Sequence, residues 1–403
     1  MSVTSHPMKP SPEPNPRDPW TGASRTATGL PATVGMPLAQ PGRPGSGVLV
    51  ALVLCTLLLL GVTFFLSGIF GSGTLLWLGL LAMVPLGLCL AGLRWVDRWD
   101  PEPRPMLLLA LLWGAGTSVA GALLVGDLFT ELFFNPAGRL DLDTFGAVVQ
   151  APIVEELVKG AGVLLIFWLN RAHFDGPIDG IVYGGMVGAG FAFTENILYF
   201  GSSYAESGAP GDLAAVFVLR GLFSPFAHVL FTAWTGFALG LCAEHGDRSR
   251  WPLYLGLGLL PAVLGHFLWN GGVGIFFDSF LDFYFLLQLP LFVATVVSVV
   301  LLQRAELRLI ARRLDEYRQA GWFTPAEVAM FATPAGRKAA RAWASAHGRG
   351  RLMQDFTQTA MDLASVRQRI SAGHADAGDH ARELALLHQS YRQRAQLLAG
   401  VVV

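Results

Sequence analysis

VLVALVLCTLLLLGVTFFLSGIF, residues Val48–Phe70, runs for 23 residues without a charged side chain. At about 1.5 Å of rise per residue, a helix of that length crosses a hydrocarbon core about 30 Å thick. Similar runs recur downstream. Eight candidate spans follow: Val48–Phe70, Leu75–Leu93, Met106–Val125, Phe145–Leu169, Ile178–Phe200, Ala214–Leu241, Pro252–Gly272 and Phe280–Leu302. Composition agrees. Of 403 residues, 53% are hydrophobic and 14% charged, and the mean hydropathy is +0.48. A soluble chain carries about 25% charged residues. The expected fold class is all-α, a polytopic transmembrane helical bundle of about eight spans.

Polar segments flank this block. Residues 1–46, rich in Pro, Gly, Ser and Thr, read as a disordered cytoplasmic tail with no apolar stretch for a cleaved signal peptide. Residues 47–303 form the expected membrane domain, and residues 304–403 a small helical cytoplasmic tail. In that tail, Thr324-Pro325-Ala326-Glu327 sets Thr at an N-cap, Pro at the first helical position and Glu for a capping box. A cytoplasmic partner-binding module is the expectation there. Arg94, Arg98 and Arg104 follow span 2, Arg171 follows span 4, and Arg248 and Arg250 follow span 6. The loops after spans 1, 5 and 7 hold no Lys or Arg. The positive-inside rule then places both termini in the cytoplasm of a cell-membrane protein. A net charge of −1 excludes nucleic acid as a partner. Cys55, Cys89 and Cys242 all lie in apolar runs and read as packing thiols.

Several polar side chains sit where lipid is expected. Span 4 carries Glu155, Glu156 and Lys159, and span 5 ends on Glu195 and Asn196. Span 6 carries His228 and Thr232, and span 7 carries His266 and Asn270. Each buried charge costs about 2.5–3.5 kcal/mol on insertion scales, so Glu155, Glu156, Lys159 and Glu195 together cost on the order of 10 kcal/mol unless partnered. They must face one another or a wet cavity. Four-residue spacing puts Glu155 and Lys159 on one helical face, with Glu156 about 100° away. Each residue alone has a plain structural reading: an ion pair, a helix cap, a bond to a neighbouring backbone. Their joint occurrence on four successive spans points to a site.

Taken in order, Glu155-Glu156-x-x-Lys159, Phe191-Ala192-x-x-Glu195-Asn196, His228 with Thr232, and His266 with Asn270 resemble the PrsW family of intramembrane proteases, which is related to the CAAX-type prenyl endopeptidase group. The stretch Asp97–Pro103, Asp-Arg-Trp-Asp-Pro-Glu-Pro, resembles a further family feature, and the likeness extends from Asp97 to Asn270. It implies an intramembrane endopeptidase cutting membrane-anchored proteins, such as an anti-sigma factor, near the outer membrane face. The implied partners are that substrate and the lipid bilayer. The expected catalytic residues are Glu155, Glu156, His228, His266, Asn270 and Glu195, supported by Lys159, Asn196 and Thr232.

Glu155 is expected to act as general base, with Glu156 and His228 orienting it and the water. His266 and Asn270 are the expected oxyanion donors, and Glu195 is expected to hold a histidine tautomer. No cofactor is favoured, because HExxH is absent and adjacent glutamates do not share a helical face. Zn²⁺ or a similar divalent ion is the alternative, with Glu155, Glu156, Glu195, His228 and His266 as its donors. Two other functions stand beside the protease: a proton- or ion-coupled transporter and a non-catalytic membrane scaffold. No internal repeat or Gly-Pro-broken span supports the transporter.

Overall fold

The structure, a computed structural model, describes residues 45–399 except Ala137, Arg139, Ala172, Gly208, Ala209, Asp376 and Ala377. The expected tail over 1–46 lies outside the described residues, apart from its last two. Among the described residues there is no strand, only an isolated bridge between Val273 and Phe277. The chain is all-α. Two compact units divide it, one of residues 41–303 and one that includes residues 304–399.

The first unit begins with α1 (Ser46–Phe70) and α2 (Ser72–Val96), joined by Gly71 alone at φ +80°, a conformation that costs glycine little. There follow α3 (Arg104–Phe133), α4 (Ala151–Leu169), α5 (Pro177–Ser207), the short α6 (Pro210–Val216), α7 (Ala227–Glu244), α8 (Trp251–Ile275) and α9 (Leu289–Gln319), whose residues from Arg304 onward belong to the second unit. Among the described residues, seven helical stretches are long and apolar enough to cross a membrane. The eighth expected span is also helical, from 142 to 169. Its Glu155, Glu156 and Lys159 set it apart from the apolar seven.

Burial runs opposite to that of a soluble protein. Phe64 of α1 is 81% exposed and Leu124 of α3 is 78% exposed, while Lys159 and Glu156 are wholly buried. Lipid accepts the apolar exterior, and only partnered polar groups survive inside. The buried centre is α5, packed by α2, α3, α4 and α7. Its small residues permit that. A Cβ on Gly180 would lie 1.9 Å from the Gly236 carbonyl oxygen, and one on Gly188 would lie 2.3 Å from the His228 carbonyl oxygen. So close a seam fixes α7, and with it His228, against α5. Gly188→Ala is therefore expected to destabilise the protein by about 1–3 kcal/mol. An unchanged thermal midpoint in detergent would show that the seam yields.

Beyond α2, the Asp97–Pro103 stretch is tied to α5. Tyr183 donates to Glu102 at 2.5 Å and accepts from Asn170 Nδ2 at 2.7 Å, while the Glu102 N–H donates to the Asp97 carboxylate at 3.0 Å. Burial pushes Asp97 up to about 6 and Glu102 well above the ordinary carboxylate range. This clasp fixes the start of α3.

Four turns wider than α-helical interrupt the helices: Trp113–Ser118, Gly146–Gln150, Phe217–Phe223 and Tyr284–Gln288. Such turns re-aim side chains and recur at functional sites.

The second unit holds α10 (Pro325–Ala332), α11 (Pro334–Ala346), α12 (Gly350–Ser371) and α13 (Asp379–Leu398). Thr324 and Glu327 form the reciprocal capping box, and Glu327 is also paired with Arg394 Nε at 2.5 Å. Phe331 and Phe356 meet edge to face at 5.0 Å in its core.

Candidate active site

Helix α4 continues directly from the wide turn Gly146–Gln150, and Pro152, having no N–H, gives no bond back into that turn. One turn on, Glu155, Glu156 and Lys159 point inward. Helix α7 starts at Ala227, so His228 occupies its first turn, and the Cys89 thiol donates to the Pro225 carbonyl at 3.0 Å just before it. His266 comes from the middle of α8 and Glu195 from α5.

Lys159 is the hub. Its Nζ lies 2.8 Å from Glu156 Oε1, 3.3 Å from Glu155 Oε2 and 3.0 Å from His228 Nδ1, and 3.8 Å above the Phe191 ring. Lys159 lies four residues from Glu155 and three from Glu156, so both glutamates are its neighbours on the helix. Its flexible four-carbon stem lets the ammonium reach both glutamates. Glu156 is enclosed on every side: Oε1 also meets His266 Nδ1 at 3.1 Å, and Oε2 accepts from Thr232 Oγ1 at 3.1 Å. Glu155 Oε2 lies 3.9 Å from His266 Nε2. On the other flank, Glu195 Oε2 lies 2.7 Å from His228 Nε2. The two imidazoles are edge to face, with centroids 5.0 Å apart.

Asn270 stands apart. Its Nδ2 donates to the Ala147 carbonyl at 2.8 Å, so the expected oxyanion donor holds α8 to the wide turn before α4 instead. Asn196 accepts from Arg220 Nε at 3.3 Å, which makes it a prop for a residue that the sequence reading passed over. Arg220, on the wide turn Phe217–Phe223, also pairs with Glu195 and lies 3.7 Å from the Tyr199 ring centre. Its signal was legible, since it is a cation inside the apolar run Ala214–Leu241.

Three carboxylates (Glu155, Glu156, Glu195) against two fixed cations (Lys159, Arg220) leave one negative charge unbalanced before the histidines are counted. Glu155 and Glu195 also form part of the wall of an open cavity of about 900 Å³, with Asp127, Gln150, Ser202 and Glu206 among its polar residues. The open cavity therefore borders Glu155 and not Glu156. Adjacent glutamates differ in environment because they face different ways.

The donors suit a divalent ion. Glu155, His228 and His266 each offer one ligand atom, all within 4.8 Å of one another. Two histidines and a carboxylate form a set that Zn²⁺ accepts with one position left open. Each imidazole also has a carboxylate on one nitrogen, Glu156 for His266 and Glu195 for His228, an arrangement that orients metal-binding histidines. These ligands come from three helices, so the lack of HExxH on any one of them does not count against an ion.

Arg220 acts through Glu195 on this set. Arg220→Gln is expected to lower kcat/KM about 10–100-fold, as loss of an outer partner does, with Arg220→Lys retaining more. Equal activities for the two variants would remove Arg220 from the site.

A family model described as PrsW family intramembrane metalloprotease matches residues 102–295, which contain Glu155, Glu156, Lys159, Glu195, Arg220, His228 and His266. Protease PrsW of Clostridioides difficile (strain 630) is 32% identical over 191 residues, covering 46% of this chain and 75% of that protein. Protease PrsW of Geobacillus kaustophilus (strain HTA426) is 29% identical over 168 residues, 42% of this chain and 67% of that one. Protease PrsW of Oceanobacillus iheyensis is 27% identical over 220 residues, 54% of this chain and 91% of that one. No solved structure gives a significant match.

Proposed function

This chain belongs to the PrsW family of intramembrane proteases, and from that premise we propose that it is an endopeptidase that hydrolyses membrane-anchored proteins near the outer membrane face, with Glu155 meeting the attacking water. Both termini are then cytoplasmic, substrates are of the anti-sigma-factor type, and the unit of residues 304–399 serves a cytoplasmic partner. One observation carries the chemistry: Glu155 belongs both to the water-accessible cavity and to the buried cluster of donors.

Glu155 Oε2 is turned to Lys159 and His266, which leaves Oε1 for the proton of a water on the cavity floor. The same carboxyl then passes that proton to the leaving amine. Lys159 offsets one charge of the paired glutamates, and Glu156 holds His266 by its Nδ1. Glu195, itself held by Arg220, orients His228. The imidazoles stand where a developing oxyanion needs donors. Zn²⁺ or a similar ion would be held by Glu155, His228 and His266 and would supply Lewis-acid polarisation.

The test is reconstitution of the purified chain in proteoliposomes with a single-span reporter. Cleavage within the outer half of the span is the expected product. Cleavage on the cytoplasmic side, or none for any reporter, would remove the reading.

A further inference from the structure

A second cavity, largely apolar and of about 230 Å³, is set off from the two histidines by the Phe231 ring. Phe231 forms part of its wall and stacks on His266 at 5.2 Å, with its edge to His228 at 5.7 Å. Trp269 lines both this cavity and the small gap that reaches His228 and Arg220. The cavity shares no lining residue with the open polar one that contains Glu155. The site thus lies between a wet space and a dry one.

Gln288, at the end of the wide turn Tyr284–Gln288, lines the dry cavity. Its Nε2 and Oε1 are both buried, and neither has a hydrogen-bond partner. An unpaired donor and acceptor in a low-dielectric interior are unfavourable and call for an explanation. A carboxamide presents one donor side and one acceptor side, the complement of a peptide unit.

From this geometry we infer that the dry cavity is a substrate subsite: it receives the unwound stretch of the substrate's membrane segment beside the scissile bond, and Gln288 bonds the backbone that unwinding frees. The inference rests on the protease reading above. In a helix each backbone N–H and C=O is already bonded within its own turn, so the segment must open before hydrolysis. Opening leaves those groups without partners in hydrocarbon. Gln288 supplies one of each, donating from Nε2 to a carbonyl and accepting at Oε1 from an N–H. The apolar walls, Phe226, Leu230, Phe231 and Phe283 among them, suit the side chains of a membrane segment. A lipid acyl chain matches the walls but leaves the carboxamide unpaired, which favours a peptide as the occupant.

The experiment uses the full chain in proteoliposomes with a membrane-anchored reporter that the unmodified protein cleaves. Gln288→Leu is expected to raise KM about tenfold, the loss of one to two hydrogen bonds, with kcat little changed. In a second arm, Gln288→Cys in the Glu155→Gln background is offered reporters with single cysteines placed along the span. Disulfide trapping is expected only within a few residues of the scissile bond. An unchanged KM, or trapping spread evenly along the span or absent, overturns the inference. Should Gln288→Leu fail to fold, the trapping arm decides. If the unmodified chain cleaves no reporter, the protease reading falls and takes the subsite with it. If Glu155→Gln cleaves as fast as the unmodified chain, the role of Glu155 falls and the subsite is still decided by the Gln288 arms. If cleavage is normal and only the Gln288 variants are silent, the subsite alone falls.

Discussion

Glu155→Gln is expected to cut cleavage about 10²–10⁴-fold while the protein keeps its thermal midpoint, whereas Glu156→Ala is expected to lose both cleavage and stability. The two residues are neighbours in sequence, and the contrast comes from their surroundings. Glu155 borders the open cavity and shares Lys159 with Glu156, so a glutamine there leaves the ammonium one carboxylate partner. Glu156 has no exposed surface and bonds Lys159, His266 and Thr232 together. Its removal strips the buried Lys159 of its shortest ion pair, and breaking a buried pair in this way costs about 3–5 kcal/mol. Kinetics and thermal unfolding of both variants in the same detergent check the point. Equal losses of stability would mean that the pair is one structural unit and that Glu155 has no separate chemical role.

Removal of a divalent ion is expected to have the second large effect. Dialysis of the solubilised protein against a chelator is expected to reduce cleavage to background, and Zn²⁺ or one other divalent ion is expected to restore it. Elemental analysis should find one equivalent per chain before dialysis, and His228→Ala or His266→Ala should abolish its retention even where activity cannot be read. The basis is the convergence of Glu155, His228 and His266 within 4.8 Å, with carboxylates behind both rings. Full activity in metal-free protein would instead assign the water wholly to the carboxylate and Lys159.

The hydrolase and transporter alternatives differ in what the network must do. A relay that carries protons across a membrane needs titratable groups reaching from face to face. Here Lys159 and Glu156 are sealed, and Glu155 and Glu195 border one cavity. That layout serves chemistry at one depth.

The sequence by itself determined the fold class. Twenty-residue apolar runs have no other stable home, and a lipid-exposed backbone must satisfy its own hydrogen bonds, which makes it helical. It also singled out Glu155, Glu156, Lys159, Glu195, His228 and His266 as candidates for one site, since they are too costly in lipid to be there unpartnered. Arg220 announced itself in the same way and was passed over. Only the tertiary structure decided the parts each plays. Helical spacing lets Lys159 reach Glu155 four residues back or Glu156 three back, and in the packed site it bonds both, Glu156 at 2.8 Å and Glu155 at 3.3 Å. Spacing paired Asn270 with His266, yet its amide is taken by the Ala147 carbonyl. The absence of HExxH counted against a metal, yet three separate helices bring the donors together. Hydropathy and periodicity are properties of one helix at a time. Which side chains meet, and which of two adjacent glutamates sees water, depends on how neighbouring helices are rotated and how closely they approach, and the glycines along α5 set that only once α7 has packed against them.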